Sequence, residues 1–281
     1  MENISNAEYR KKEGISSSDL KRMMKSMATW KYYKDHPEEN GDTEALQFGR
    51  AYHKLMLEPE DFDKEFIVSP KFDRRTKEGK AAAEEFQKKA EGKEVINEET
   101  YQKLLDMQKA LYDTPFVKLL IKGEHEKSFF WKDSETGIPC KCRPDSFGQI
   151  KDNYVCVDLK TTKDAETDHF MRDALKLGYD IQAYHYCQGL ENAYKKPFKF
   201  IFIAQEKTAP YLVNVLEADE YFMASGKELR DTLLGEFKKA EETGIYNGYM
   251  SKDSGINSLS VPAWLRDSLV VDDTDQEGEF E

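Results

Sequence analysis

The 281-residue chain contains no run of eighteen or more apolar residues, so no membrane-spanning helix is expected. Met1 to Gly14 is polar and charged and lacks an apolar centre. It does not read as a secretory signal, and the expected compartment is the cytoplasm. Cysteine is sparse: Cys140, Cys142, Cys156 and Cys187 are the four present. Their spacing fits none of the usual zinc arrangements, which leaves reduced structural thiols, or a four-cysteine iron–sulfur cluster as the alternative. No G-x-G-x-x-G and no G-K-[ST] phosphate loop occurs, which argues against dinucleotide binding and ATP hydrolysis. No G-x-S-x-G nucleophile turn occurs either. Basic charge is also short. The formal net charge of -12 argues against a protein that coats nucleic acid without regard to sequence. Half of that excess sits in Val271 to Glu281, which holds six acidic residues and no basic one. The remaining acidity can lie on outer faces while a channel stays basic.

What is present suffices for one large domain. Hydrophobic residues at 39% can form a sizeable core, and charged residues at 34% imply a very polar surface rather than general disorder. Residues 1–13 read as a loose arm. Gly14 to Leu20 reads as a helix start, with a serine as N-cap and Asp19 in the first turn, and the helix is expected to run through Met23, Met24, Met27 and Trp30 to His36-Pro37. Thr43 to Leu57 has a helical stripe of Ala45, Phe48, Tyr52, Leu55 and Met56. Gly49 and His53, four apart, share a face of that helix. A glycine there admits a close approach by another backbone or a ligand. His53 can reach into a cleft or simply pack. Phe66 to Val68 is a short strand. Lys71, Arg74, Arg75, Lys77 and Lys80 form a basic cluster, either a solvated loop or a phosphate clamp. Helices follow over Ala81 to Ala90 and Asn97 to Leu120. Glu124 to Trp131 alternates as a strand, which puts Glu124, Glu126 and Ser128 on one face. Glu126 is there either a further acid for a site or an exposed strand acid. A turn at Asp133 to Gly137 leads into a strand over Ile138 to Arg143.

The densest chemistry lies between Cys142 and Thr162. Pro144-Asp145 ends a strand, Gly148 to Asn153 is a polar turn, and Tyr154 to Lys160 alternates apolar and charged residues. Side chains along a strand alternate faces, so Asp158 and Lys160 share one, and a hairpin can bring Asp145 to it. Two carboxylates and an ammonium at a strand end suit phosphodiester hydrolysis with a hard metal ion. Downstream, helices are expected over Asp168 to Leu175, Tyr179 to Tyr194 and Asp219 to Thr243, with strands over Lys199 to Gln205 and Tyr211 to Val215. Gln182 and Tyr186 lie on one face of the middle helix, either beside a cleft or on plain helix surface. Ser260 to Leu265 is an apolar anchor, and the acidic tail beyond it is expected to be disordered. The element order implies an α/β fold with a mixed central sheet flanked by helices.

In chain order, G-x-x-x-H at 49–53, P-D at 144–145, D-L-K at 158–160 and Q-x-x-x-Y at 182–186 resemble the PD-(D/E)XK nuclease superfamily. The stretches G-R-A-Y-H-K-L-M-L-E-P, R-R-T-K-E-G-K, C-R-P-D and D-L-K-T-T resemble more narrowly the RecE-like, exodeoxyribonuclease VIII-type phage exonucleases. The resemblance spans residues 14–265 and leaves out the tail, 266–281. It implies a restriction-endonuclease-like fold and a Mg²⁺-dependent exonuclease, with Mn²⁺ able to substitute. Such an enzyme digests linear double-stranded DNA 5′→3′ and leaves 3′ overhangs for a RecT-like single-strand annealing protein. It further implies a homo-oligomeric ring, a tetramer before a trimer, in a phage or prophage recombination module of a bacterial host. Carried over residue by residue, it makes Asp145 and Asp158 metal carboxylates and the Leu159 carbonyl a metal ligand. His53 becomes a ligand or near-metal group, and Lys160 the residue that orients water or stabilises the transition state. Gln182 and Tyr186 support the cleft. Arg74, Arg75 and Lys77 are the phosphate contacts, with Glu126 placed beside them on the substrate side. The cysteines do not follow the pattern of the iron–sulfur members, so no cluster is expected. The alternatives are a single-strand exonuclease or an endonuclease of the same fold, a non-catalytic DNA-end-binding protein, and an interaction protein that recruits a basic partner through its tail.

Overall fold

The computed structural model describes residues 2–37, 41, 43–249 and 256–266. In chain order its elements are α1 (Asn6–Lys11), α2 (Ser17–Lys25), α3 (Met27–Asp35), α4 (Glu44–Leu57), α5 (Phe62–Glu65), β1 (Phe66–Ser69), α6 (Lys77–Lys89), β2 (Glu94–Asn97), α7 (Glu98–Asp113) and α8 (Val117–Leu120). There follow β3 (Glu124–His125), β4 (Phe129–Lys132), β5 (Pro139–Cys142), β6 (Ser146–Ile150), β7 (Asn153–Thr162), α9 (Thr167–Lys176), α10 (Tyr179–Tyr194), β8 (Phe198–Glu206), β9 (Val213–Glu217), α11 (Glu220–Thr243) and α12 (Ala263–Arg266). The main sheet has the order β3-β6-β7-β8-β9 and is mixed: β7 and β8 are parallel and the other neighbours antiparallel. This is the α/β architecture expected from the element order. Among the described residues no helix is long and apolar enough to cross a membrane.

The alternation along β7 builds the molecule. Val155, Val157 and Leu159 point into a core shared with Tyr52 and Leu55 of α4 and Leu104 and Met107 of α7. Cys156, between them in sequence, points the other way and packs with Ala183, Cys187 and Leu190 of α10. β8 does the same with Ile201 and Ile203 on one side and Phe200 and Phe202 on the other. Each strand is therefore buried on both faces, as a central strand under two helical layers must be. A buried polar relay ties the first layer to the sheet. The Tyr52 hydroxyl donates to Gln205 Oε1 at 2.7 Å, and Gln205 Nε2 donates to the Met107 carbonyl at 2.9 Å. All four cysteines are free and buried, Cys142, Cys156 and Cys187 in the second of these cores and Cys140 against Ile15, Leu20 and Trp30, and burial pushes their thiols up.

Several expectations are corrected. Of the expected loose arm, the described residues 2–13 are tied down. Ser5 and Glu8 form a capping box that starts α1, and Glu2 exchanges backbone hydrogen bonds with Ser128 at 2.8 and 3.0 Å. Lys141 Nζ donates to the Tyr9 and Lys12 carbonyls at 3.2 and 2.5 Å, which closes the C-terminal end of α1. The single helix expected through Met23 and Trp30 is two, because Ser26 adopts extended backbone and serves as C-cap of α2 and N-cap of α3. The helix expected from Asn97 is preceded by β2, which pairs in parallel with β1, and Asn97 caps α7. Pro115 follows the end of α7, so the last turn is a separate α8. Gly148 to Ile150 belongs to β6, and the turn narrows to Lys151 and Asp152, with Lys151 at φ 53°. The continuous strand Glu124–Trp131 is broken at Glu126, whose φ of 52° is left-handed. Its first part joins the main sheet and its second pairs with β5 as a separate ribbon. Of the apolar anchor at Ser260 to Leu265, Val261 and Pro262 lie exposed rather than packed. The acidic tail beyond Arg266 lies outside the described residues.

Candidate active site

The β6–β7 hairpin sets the site. Ser146 pairs with Val157, so Asp145, one residue earlier, stands level with Asp158. Asp145 Oδ2 accepts from the Leu159 amide at 2.7 Å, and its Oδ1 lies 3.4 Å from His53 Nδ1. The other ring nitrogen of His53 meets the Leu159 carbonyl at 3.0 Å. The α4 helix thus delivers His53 to the strand from one face of the sheet. From the other, α10 delivers Gln182, whose Nε2 donates to Asp158 Oδ1 at 2.6 Å. Asp158 is 1% exposed and is ion-paired through Oδ2 with Lys160. Glu126 completes the group. Its left-handed backbone turns it back towards Asp145, and Arg143 Nε donates to its Oε2 at 2.6 Å. The same guanidinium donates to the Ile4 carbonyl at 2.7 Å, joining the site to the N-terminal segment.

The electrostatics follow from crowding. Burial would raise Asp145, yet the His53 ring, Lys160 and the Leu159 amide together hold it below the usual carboxylate range. Asp158 is raised by burial, with Asp145's charge adding, in spite of Lys160. Glu126 is raised by burial and by Asp145, against the pull of Arg143. For His53, burial opposes the charged ring, but Asp145 outweighs it and lifts the imidazole to about 9.

Two carboxylates and an imidazole held this close could hold a cation. One donor atom each from His53, Glu126 and Asp145 lies within 4.8 Å of the others. Oxygen donors with one imidazole suit Mg²⁺ or Mn²⁺. The grouping differs from the expected ligand set. Glu126 stands in the cluster rather than on the substrate side, while Asp158 is engaged by Lys160 and Gln182, and the Leu159 carbonyl by His53. Tyr186 is half-buried with its hydroxyl beside Ser17, and burial raises it well above the ordinary phenol range.

The basic loop is elsewhere. Arg75 is bound to Asp73 through Nε at 2.8 Å and a terminal nitrogen at 3.0 Å, and Arg74 and Lys77 are exposed. None of the three lines the cleft beside the cluster, a space of about 570 Å³ walled by α1 and α4. Its cations are Arg50, Lys54 and Arg143, which the sequence reading did not single out. Arg50 grips Glu94 at 2.7 and 2.6 Å, and Lys54 bridges Glu58 and Glu65 at 2.6 Å each. Helical spacing could have found the first two. Gly49, Arg50, His53, Lys54 and Leu57 form one stripe of α4, and that stripe is the cleft wall. Apart from its chain neighbours and the backbone of its own helix, no atom of the described residues lies within 4 Å of where a Cβ on Gly49 would stand.

The family model described as a PDDEXK-like domain of unknown function (DUF3799) matches residues 16–246. The chain belongs to this PDDEXK-like family. It is a nuclease fold, and the match takes in every residue of the cluster but not α1, which walls the cleft. Comparison with curated proteins finds no match. Among solved structures, the PDDEXK-like chain is similar to a candidate exonuclease from Eubacterium rectale, at 13% identity and TM-score 0.63, over 95% of this chain and 98% of that one. That likeness supports the fold. The crystal structure of SSO0001 is also similar, at 12% identity over 79% of this chain and 77% of that one, with a TM-score of 0.36.

Proposed function

We propose that this PDDEXK-like nuclease is a divalent-metal-dependent exodeoxyribonuclease of the RecE-like type. The observation that carries the reading is the pairing of Asp158 with Lys160 on one face of β7, beside the His53–Glu126–Asp145 cluster. Binding alone has no use for an ammonium held by a buried carboxylate at the edge of a metal cluster. His53, Glu126 and Asp145 would hold the ion, with Asp158 next to them. A divalent ion there lowers the pKa of bound water and offsets phosphate charge. Lys160 places a cation where negative charge grows on the phosphorus oxygens. Asp158 holds that cation, and Gln182 fixes Asp158. The order of motifs supports the finer reading: digestion of linear duplex ends, 5′→3′, leaving 3′ overhangs for a RecT-like annealing protein in phage or prophage recombination. A homo-oligomeric ring, tetramer before trimer, would let DNA thread a basic channel beneath an acidic exterior, in the host cytoplasm.

The deciding assay incubates the protein with linear and closed-circular duplex DNA, in Mg²⁺ or in EDTA. Loss of linear duplex alone, dependent on Mg²⁺ and absent in Asp158→Ala, is the expected result. Lys160→Met should lower the rate by about 10²–10³ while the melting temperature stays near wild type. Cleavage of closed circles would overturn the exonuclease reading. No cleavage of any DNA would favour a binding role. Labelling one strand at a time reads the polarity.

A further inference from the structure

Lys21 belongs to none of the motifs above. It comes from α2 and is half-buried. Its Nζ donates to Gln182 Oε1 at 2.6 Å and lies 4.7 Å from the centre of the Tyr179 ring. The Lys160 ammonium lies 4.8 Å from the centre of the same ring. Two cations from distant parts of the chain therefore meet at one aromatic side chain. The backbone ahead of that ring is shaped to receive Lys21. Gly178 is left-handed at φ 66°, and a Cβ there would meet Met24 Sδ at 2.6 Å and Lys21 Cγ at 3.3 Å.

The two lysines differ in what they hold. Lys160 is paired with Asp158. Among the described residues, Lys21 has no carboxylate at ion-pair distance, and its hydrogen-bond partner is a neutral amide. The acids nearest in charge are engaged elsewhere: Asp158 with Lys160 and Gln182, Asp180 with the Ser225 hydroxyl at 2.8 Å. A buried ammonium without an anion is costly. Burial first, then the like charge of Lys160, brings Lys21 down to about 7. A polyanion supplies what is missing.

We propose that Lys21 is a substrate-phosphate ligand, which binds a backbone phosphate next to the scissile one while Lys160 serves the scissile one. This rests on the nuclease reading above. Gln182 is then a positioning residue. One end of its amide fixes Asp158 and the other fixes Lys21, so a single side chain sets the spacing of both cations. If instead Lys21 only steadies Gln182, its charge has no part in DNA binding.

The test is the salt dependence of binding, read by fluorescence anisotropy with a short fluorescein-labelled DNA duplex in EDTA, where no cleavage occurs. The slope of log Kobs against log salt counts neutralised phosphates, at about 0.9 per phosphate. Lys21→Met should weaken binding to the same degree for every sequence and reduce that slope by about one. Lys21→Arg, which keeps the charge, should keep the slope. Should Lys21→Met not fold, Lys21→Gln is read in the same way. An unchanged slope in the uncharged variant overturns the Lys21 assignment and leaves the nuclease reading standing. Absence of salt-dependent DNA binding in the wild type overturns both.

Discussion

His185 is buried and His53 half-buried, and their surroundings move the two rings in opposite directions. Asp145 lifts the His53 ring to about 9, and an ion held there would have to displace that proton. His185 has Arg230 as its neighbour, and burial together with that guanidinium drives it down to about 3. The geometry agrees: Arg230 Nε donates to Nδ1 at 3.2 Å, so Nε2 carries the proton and donates to the Lys141 carbonyl at 3.1 Å. The stability consequence has a definite sign. The unfolded chain takes up a proton near pH 6.5 that the folded chain refuses until about 3. Stability from His185 is therefore complete above that upper value and falls steadily as pH drops through the window. His185→Gln keeps one acceptor for Arg230 and one donor for Lys141. Thermal melts of variant and wild type should converge on a flatter acid slope for the variant, most visibly above about pH 5, where depressed carboxylates are still ionised. A variant slope equal to wild type would refute it. At this scale Asp158 and Lys160 were legible as a pair from the strand period, and the resemblance joined Asp145, His53 and Gln182 to them. Lys21 was not legible, since it sits 161 positions from the glutamine it holds. Nor was the place of Glu126, which depends on a left-handed residue that no alternation reveals.

Elements were legible where one period ran for several turns. The α10 bounds, Tyr179 to Tyr194, match the expected helix, and α4 and α11 differ from theirs only by their caps, Thr43 and Asp219. They were illegible where a local backbone choice overrode the pattern. Ser26 cut an apolar stripe that reads as one helix. Glu126 cut a strand whose alternation is unbroken in sequence and sent its halves to different sheets. The α4 stripe gives a prediction that separates packing from activity. Gly49 opens onto the cleft, and beyond its own helix no described residue comes within 4 Å of an added Cβ. Gly49→Leu should hold or raise the melting temperature, since leucine is the better helix former by up to about 1 kcal/mol. The same change narrows the space beside His53, and nuclease activity should fall at least about tenfold. A drop in melting temperature would mean that Gly49 is needed for packing.

For the whole molecule, the order of helices and strands implied the fold class, because a long alternating strand followed by a helix and a second buried strand leaves few topologies. Net charge misled at first sight, since half of the acidic excess is confined to the last eleven residues. The cluster of His53, Glu126 and Asp145, with Asp158 beside it, makes the folded chain a ligand-seeking one: carboxylates that repel one another in the fold would be relieved by a divalent ion. Mg²⁺ or Mn²⁺ should therefore raise the melting temperature, by about 2.7 kcal/mol of added stability at a hundredfold excess over Kd. That corresponds to several degrees for a chain of this size. Asp145→Asn should lose most of the shift. An equal shift in the variant would place the ion elsewhere.

The Arg143 guanidinium, shared between Glu126 and the Ile4 carbonyl, has a practical side. Ser5, Asn6 and Ala7 stand in the cleft wall, so this segment flanks the entrance to the proposed metal site. An affinity tag joined ahead of Glu2 is no neutral handle. It would crowd that entrance or pull Ile4 off Arg143, and a protein prepared that way could read as inactive while every acidic residue of the cluster remained intact.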